Sequence, residues 1–506
     1  MFLLILIAFV LFLIGYAMFA NKIKGLPPGP PPLPIIGNFY LFESVMEKKM
    51  LGWKKKYGRV FTLWLPQPTI VIGDAKLLQE TIVRDGDNYG NRVIPIEMMK
   101  LLVDGPYGLV FNDNSVWKEQ RRFTLHALRD VGFGSARVQE NISNFAHEVV
   151  DLWKKDEGKP VDVGVNIMGA VANVVWDITF GKTLSIGDPL IKNVRAIFDE
   201  LIPLFSHPMV QGMEILPAIR YLDGVTGSAI KRFVDQNNLV LDILHKEVAE
   251  VEAGMPEDSS HPQSYVEAYL HEIKKREKNG ENMDSFTRHQ LTIAAYDLWS
   301  AGFETTVLTL RFGINYLVNF PDLQRKMREE IQRVIGERII RSDDQKNLPY
   351  CNAVLQELQR VVNVLPFNFF REIGKDTVID GYTVKAGTAV LPQFQMVHTN
   401  PEEFERPDYF CPERHINEKG EFVKKLRFEP TGLIPPKPEF TLGFALSLKP
   451  YNVKITAMVH SDPEEYERPD YFCPERHINE KGQFVKKLRF EPTGLIPPKY
   501  DSISSS

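Results

Sequence analysis

Cysteine is scarce in this chain: 506 residues contain only Cys351, Cys411 and Cys473. So few thiols cannot staple a fold of this length, which excludes a disulfide framework and points to a reducing compartment. Charge of one sign is also lacking. Sixty basic residues face 65 acidic ones, a net charge of −5, and nothing argues for a nucleic-acid partner. What remains is a chain with 44% apolar content, enough to bury a large core in one domain or several.

Residues 1–20 are almost wholly apolar and are followed by Asn21-Lys22-Ile23-Lys24. About 20 such residues suffice to cross a bilayer. A cleaved signal peptide fits poorly, because no basic stretch precedes the run and Met18-Phe19-Ala20 is not a small-x-small cleavage site. The lysines behind the run place the remainder in the cytosol. We expect a transmembrane anchor over 1–20 and a stiff proline-rich linker over 21–38, where Leu26-Pro27-Pro28-Gly29-Pro30-Pro31-Pro32 cannot continue a helix. A body over 39–459 and a poorly ordered tail over 460–506 complete the division.

The body is organised around an apolar stretch from about 287 to 318. Its residues are apolar on nearly every side, as in a buried helix, and roughly 30 residues would run about 45 Å. Asp297, Glu304 and Arg311 argue against a membrane span, and Pro321 ends the pattern. Within it, Ala301-Gly302-Phe303-Glu304-Thr305-Thr306 breaks the rule. Gly302 costs about 1 kcal/mol against Ala, and an acid and two hydroxyls lie in a dry core. Two readings stand open: a kinked helix with back-bonded threonines, or a local opening where a ligand approaches and Glu304 and Thr305 pass protons.

Other motifs surround it. Residues 60–65 and 69–72 read as a hairpin. In the helix that opens at Ser115, Trp117 and Arg121 share one face, suited either to holding an anion or to surface packing. The segment 201–222 reads as a lid touching the bilayer or as ordinary helix packing. Charged helical periodicity at 322–334 precedes a helix opened by Leu348-Pro349-Tyr350. That helix carries Glu357 and Arg360 three residues apart, worth little on a surface and much more as a buried lock. Strand-like pieces at 376–384 and 388–391 follow Arg371, and then Phe410-Cys411-Pro412-Glu413-Arg414.

In this order and spacing the motifs resemble the cytochrome P450 family, in particular its animal microsomal branch. The resemblance runs from the apolar N-terminus to about Arg414. It implies a mainly α fold with small β-sheets (α+β), haem b as cofactor, and monooxygenation of lipophilic small molecules. Electrons would come from an NADPH-dependent flavoprotein reductase, at the cytosolic face of the endoplasmic reticulum membrane. It further implies that Thr305, Glu304 and Gly302 serve proton delivery and access. Trp117, Arg121 and Arg371 would hold the haem carboxylates, a task suited to Arg. Glu357, Arg360 and Arg414 would form a core lock, and Phe303, Leu365 and Phe367 would line the substrate pocket.

The chain departs from the family pattern in two ways. A loop of the type Phe-x-x-Gly-x-Arg-x-Cys-x-Gly should follow the Pro-Glu-Arg segment and supply the axial thiolate. Here Phe422-Val423-Lys424-Lys425 runs straight into Leu426-Arg427-Phe428. Cys351 sits in the first turn of the Glu357 helix, where a small residue is usual, and Cys411 and its copy Cys473 have neither the glycines nor the nearby helix N-terminus that such a ligand needs, so no metal ligand is assigned. Residues 398–437 also recur almost unchanged as 460–499, differing at Thr399/Ser461, Asn400/Asp462, Phe404/Tyr466 and Glu421/Gln483. Both copies break off after the Lys-Lys pair, as a skipped exon would leave them. The alternative to an enzyme is therefore an inactive membrane-anchored relative, or a truncated gene model that cannot ligate haem by Cys.

Overall fold

The computed structural model describes residues 7–423 apart from 8, 16–24, 34–36, 39–45, 66, 113, 133–134, 206, 215, 257–261, 284 and 366–367, together with Asn452–Lys454. Most of the expected anchor, Phe367, Cys473 and the second copy of the repeat lie outside the described residues.

Helix α1 (Met46–Tyr57) leads into the hairpin of β1 (Val60–Leu65) and β2 (Gln67–Ile72), antiparallel in the register Val60↔Ile72. Next come β3 (Asn91–Arg92), α2 (Ile96–Val103), α3 (Asn114–Asp130) and α4 (Ala136–Lys155). The helical body continues through β4 (Pro160–Asp162), α5 (Val163–Phe180), α6 (Pro189–Phe205), α7 (Ala229–Gly254) and α8 (Tyr265–Asn279). Then follow α9 (Arg288–Asn319), α10 (Pro321–Val334) and α11 (Pro349–Val362). Five short strands end the list: β5 (Arg371–Glu372), β6 (Thr377–Ile379), β7 (Tyr382–Val384), β8 (Ala389–Pro392) and β9 (Asn452–Lys454). A five-stranded sheet has the order β1-β2-β8-β5-β3, and β6-β7 and β4-β9 form two small pairs. This is the mainly helical α+β architecture expected from the sequence.

Helix α9 begins where the Thr287 side chain accepts the Gln290 N–H, and it runs unbroken across Gly302 to Asn319. Its buried face meets α5 and α6 in an aromatic cluster. Trp299 lies edge-on to Trp176 at 5.7 Å and to Phe198 at 5.3 Å, and stacks on Phe303 at 5.1 Å. Edge-to-face packing of such rings adds to their area burial. Helix α5 is long and apolar enough to cross a bilayer, yet 67% of that window is buried inside the body, so it is a core helix.

The segment 201–222 is packed at its start and exposed at its end. Leu201, Leu204, Val210 and Met213 are buried, whereas Leu216, Tyr221 and Leu222, with Val225 just beyond, are exposed. The strand-like piece at 376–384 is a hairpin, β6-β7, turned by Asp380 and Gly381, both at positive φ. Gly381 has φ +83° and open space around it. Gly381→Ala is therefore expected to cost about 1 kcal/mol from backbone strain alone, read as a shift of the urea midpoint. An unchanged midpoint would refute that turn geometry.

Candidate functional site

On α9 the expected kink is absent, and of the motif's two threonines Thr305 is back-bonded. Thr305 Oγ1 donates to Ala301 O at 2.7 Å, and Thr309 Oγ1 to Thr305 O at 2.8 Å. Each hydroxyl keeps its lone pairs for a further donor. Gly302 is buried, and Glu304 and Thr305 are half-buried. Burial pushes the Glu304 carboxyl up, Asp199 adds to the rise, and Arg311 and Arg195 oppose it.

Phe303, expected to line a substrate pocket, is 2% exposed and sits in the aromatic core. The reason is angular: at 100° per residue, Phe303 projects far from the face of Ala301 and Thr305, toward α5 and α6. Leu365 is half-buried, and Phe367 lies outside the described residues.

Trp117 and Arg121 share a face of α3 as the spacing implied, with the guanidinium 5.3 Å from the indole centroid. The indole N–H is engaged by the protein, donating to Leu109 O at 3.1 Å. Trp117 thus orients Arg121 and the preceding loop through its ring. Arg371 enters β5, where its register partner across the ladder is Arg92 of β3. Arg92 is buried and lies 4.9 Å from the Phe369 ring centroid. Sequence reasoning missed Arg92, because nothing in Asn91-Arg92-Val93 announces a strand that ends opposite another arginine.

The lock is assembled in full. Glu357 is fully buried and accepts from Arg360 Nε at 2.9 Å and Nη2 at 2.8 Å, and from Arg414 Nε at 3.1 Å. Two further partners were not foreseen: the Cys411 N–H at 2.9 Å and His415 Nε2 at 2.9 Å. The remaining guanidinium donors go to carbonyls, with Arg360 bonding His398 O and Tyr409 O, and Arg414 bonding Glu405 O. Burial alone would push the Glu357 carboxyl up. The bonds from Arg360 and His415, with the Arg360 charge and the Cys411 N–H, hold it down to about 2.

Neither described cysteine is poised as a thiolate. Cys351 is buried on α11, and its thiol is pushed up to about 12 by burial and by Glu330. Cys411 Sγ lies 3.7 Å from Glu413 Oε2, and burial and that carboxylate also raise its thiol. Its backbone is tied into the Glu357 lock. Both are expected to alkylate more slowly with iodoacetamide at pH 8 than a free cysteine, read peptide by peptide by mass spectrometry. Labelling of Cys411 at the rate of the free thiol would contradict this environment.

Fold and site together define a mainly helical protein with one long core helix and a buried Glu-Arg-Arg lock that ties the body together. The sequence profile of the family Cytochrome P450 matches residues 27–432. The chain is 40% identical over 415 residues to a probable cytochrome P450 CYP36A1 of Caenorhabditis elegans, covering 81% of this chain and 84% of that protein. It is 33% identical over 413 residues to cytochrome P450 2J2 of Homo sapiens (80% of each) and 32% identical over 401 residues to cytochrome P450 2E1 of Bos taurus (78% and 79%). The chain belongs to the cytochrome P450 family of haem-dependent monooxygenases.

The described residues fit the family's haem at one end only. Arg92 and Arg371 are register partners across the β3–β5 ladder, and arginine is a residue type suited to binding a carboxylate such as those of haem. At the iron end neither described cysteine offers a thiolate. The two ends of the site disagree.

Proposed function

We propose that this frame serves monooxygenation of lipophilic small molecules with O2 and NADPH-derived electrons, supplied by a membrane-bound flavoprotein reductase. The observation that carries this reading is the completed lock on Glu357 in a chain whose α9 carries Gly302, Glu304 and Thr305. Bound haem supplies the oxygen chemistry, and the protein supplies binding, orientation and proton handling. In this reading Arg121, Arg371 and Arg92 hold the haem carboxylates and Trp117 orients Arg121. Glu304 and Thr305 hold and pass a proton, and Leu365 and Phe367 line the pocket.

The body sits on the cytosolic face of the endoplasmic reticulum, anchored by residues 1–20 and spaced by 21–38. Two observations support this placement. Phe9, Leu11, Phe12 and Ile14 are helical and exposed, and so is the apolar group Leu216, Tyr221, Leu222 and Val225. Such surfaces are costly in water and suited to lipid.

A second reading is favoured for the chain as written by the raised thiols of Cys351 and Cys411 and by the absent Cys loop in the sequence. It is a membrane-anchored P450-like protein that cannot ligate haem through cysteine, whether by nature or through a skipped exon between Lys425 and Leu426. The reduced, CO-bound spectrum separates the two, first on the chain as written and then on a chain with the loop supplied. In the latter, a thiolate-type band without NADPH-dependent product from any lipophilic probe would sink the monooxygenase reading.

A further inference from the structure

The segment joining α2 to α3 is fastened to α9 by a row of side chains. His289 Nε2 lies 2.8 Å from Val103 O, and its ring meets Tyr107 edge-on at 4.5 Å. Gln290 accepts the Gly108 N–H at 2.9 Å and donates to the Gly108 carbonyl at 3.1 Å. Two turns further along the same face, Asp297 Oδ2 accepts the N–H of Leu109 at 2.6 Å and of Val110 at 3.0 Å. The other side of the Leu109 residue is held as well, since its carbonyl takes the Trp117 indole N–H and Arg121 lies over that indole. Leu109 is thus clamped between a carboxyl on α9 and an indole on α3.

The clamp leaves no room for alternatives at Gly108. Its φ is +83°, and a Cβ there would collide with Asp297 Oδ2 and come within 2.9 Å of Ile293 Cγ2. Asp297 itself is 5% exposed, and a carboxyl so buried costs stability unless it is bonded. Burial pushes it up to about 7, and the two peptide N–H groups work against that rise. An apolar residue would pack in this core at less cost, so the acid is here for the two peptides it grips.

We propose that Asp297 is a positioning residue that acts through the Leu109 peptide to hold Trp117, and with it Arg121, in place for the haem carboxylates. This rests on the reading of Trp117 and Arg121 given above, and its test separates the two. The probes are metal-free protoporphyrin IX and its dimethyl ester, titrated by fluorescence against the full chain. Neither contains iron, so no axial cysteine is needed, and the ester lacks the carboxylates.

The parent chain should bind the free acid more tightly than the ester. Asp297→Ala should weaken the free acid about tenfold, the scale of a lost charge-assisted hydrogen bond, and leave the ester unchanged. Asp297→Asn keeps an acceptor oxygen and should restore much of the loss. Adding Trp117→Phe to Asp297→Ala should cause no further loss, because both break the same clamp. Hydrogen exchange should quicken at 105–112 and stay unchanged along the rest of α9. Equal weakening of acid and ester, or additive effects in the double variant, would overturn the proposal. If the parent chain does not distinguish acid from ester, the carboxylate reading of Trp117 and Arg121 fails and the proposal falls with it. Should Asp297→Ala not fold, Trp117→Phe alone carries the test: it should weaken the free acid and leave the ester unchanged, and equal weakening of both would overturn the proposal.

Discussion

Glu357→Ala is expected to destabilise the body by about 3–5 kcal/mol, the usual cost of removing one partner from a buried charge network. Against a total stability of about 5–15 kcal/mol this leaves little or no folded protein at 37 °C. The large effect follows from what is left behind. Arg360, Arg414 and His415 all turn toward a carboxylate that is fully buried, and Arg360 and Arg414 are themselves nearly so. Removing the acid strands these donors away from water, whereas a surface pair would simply resolvate. Glu357→Gln keeps the shape and loses the charge, so it should fall between the parent and alanine. A thermal midpoint for Glu357→Ala within a degree or two of the parent would refute the lock.

The same site fixes a pH dependence. The folded carboxyl titrates at about 2 and its ordinary value is 4.5. Its contribution is therefore fully present above about 4.5 and is lost as pH falls toward about 2. In Glu357→Gln this part of the acid-unfolding curve should flatten. An identical acid profile would show that other groups govern acid stability.

The second large effect is all-or-none. Expressed as written, reduced and exposed to CO, the chain is expected to give no thiolate-type Soret band. Cys351 lies on α11 with its thiol facing Met327 and Glu330, and Cys411 contributes its N–H to the lock while its sulfur faces Glu413. Both carboxylate neighbours oppose the thiolate that iron requires. Placing a Phe-x-x-Gly-x-Arg-x-Cys-x-Gly loop and its following helix between Lys425 and Leu426 should restore the band. A band from the chain as written that disappears in Cys411→Ala would prove this account of the thiols mistaken.

Much of the frame could be read directly from residue patterns. Continuous apolarity from about 287 to 318 and a following proline predict a helix within one residue of the observed α9. The Glu357–Arg360 spacing made an ion pair certain to be possible, since residues three apart share a helix face. Local signals fail where partners are distant in sequence. His415 lies 58 residues from Glu357, and Asp297 lies 188 residues from Leu109. Neither histidine nor aspartate carries a mark of its partner. Phe303 shows the same limit in reverse. The family resemblance implied pocket lining there, and the structure stacks the ring on Trp299, which itself meets Phe198 of α6.

The sequence by itself determined the family, the long core helix, the residues of the lock and the absence of a Cys loop, because each is written in residue type and short spacing. Only the tertiary structure decided that Glu357 is gripped by four residues instead of two, that Arg92 stands opposite Arg371, and that Asp297 holds the loop before α3. These depend on which surfaces meet when helices and strands pack. Burial then sets their strength, by removing the water that would otherwise compete for every charge and hydrogen bond.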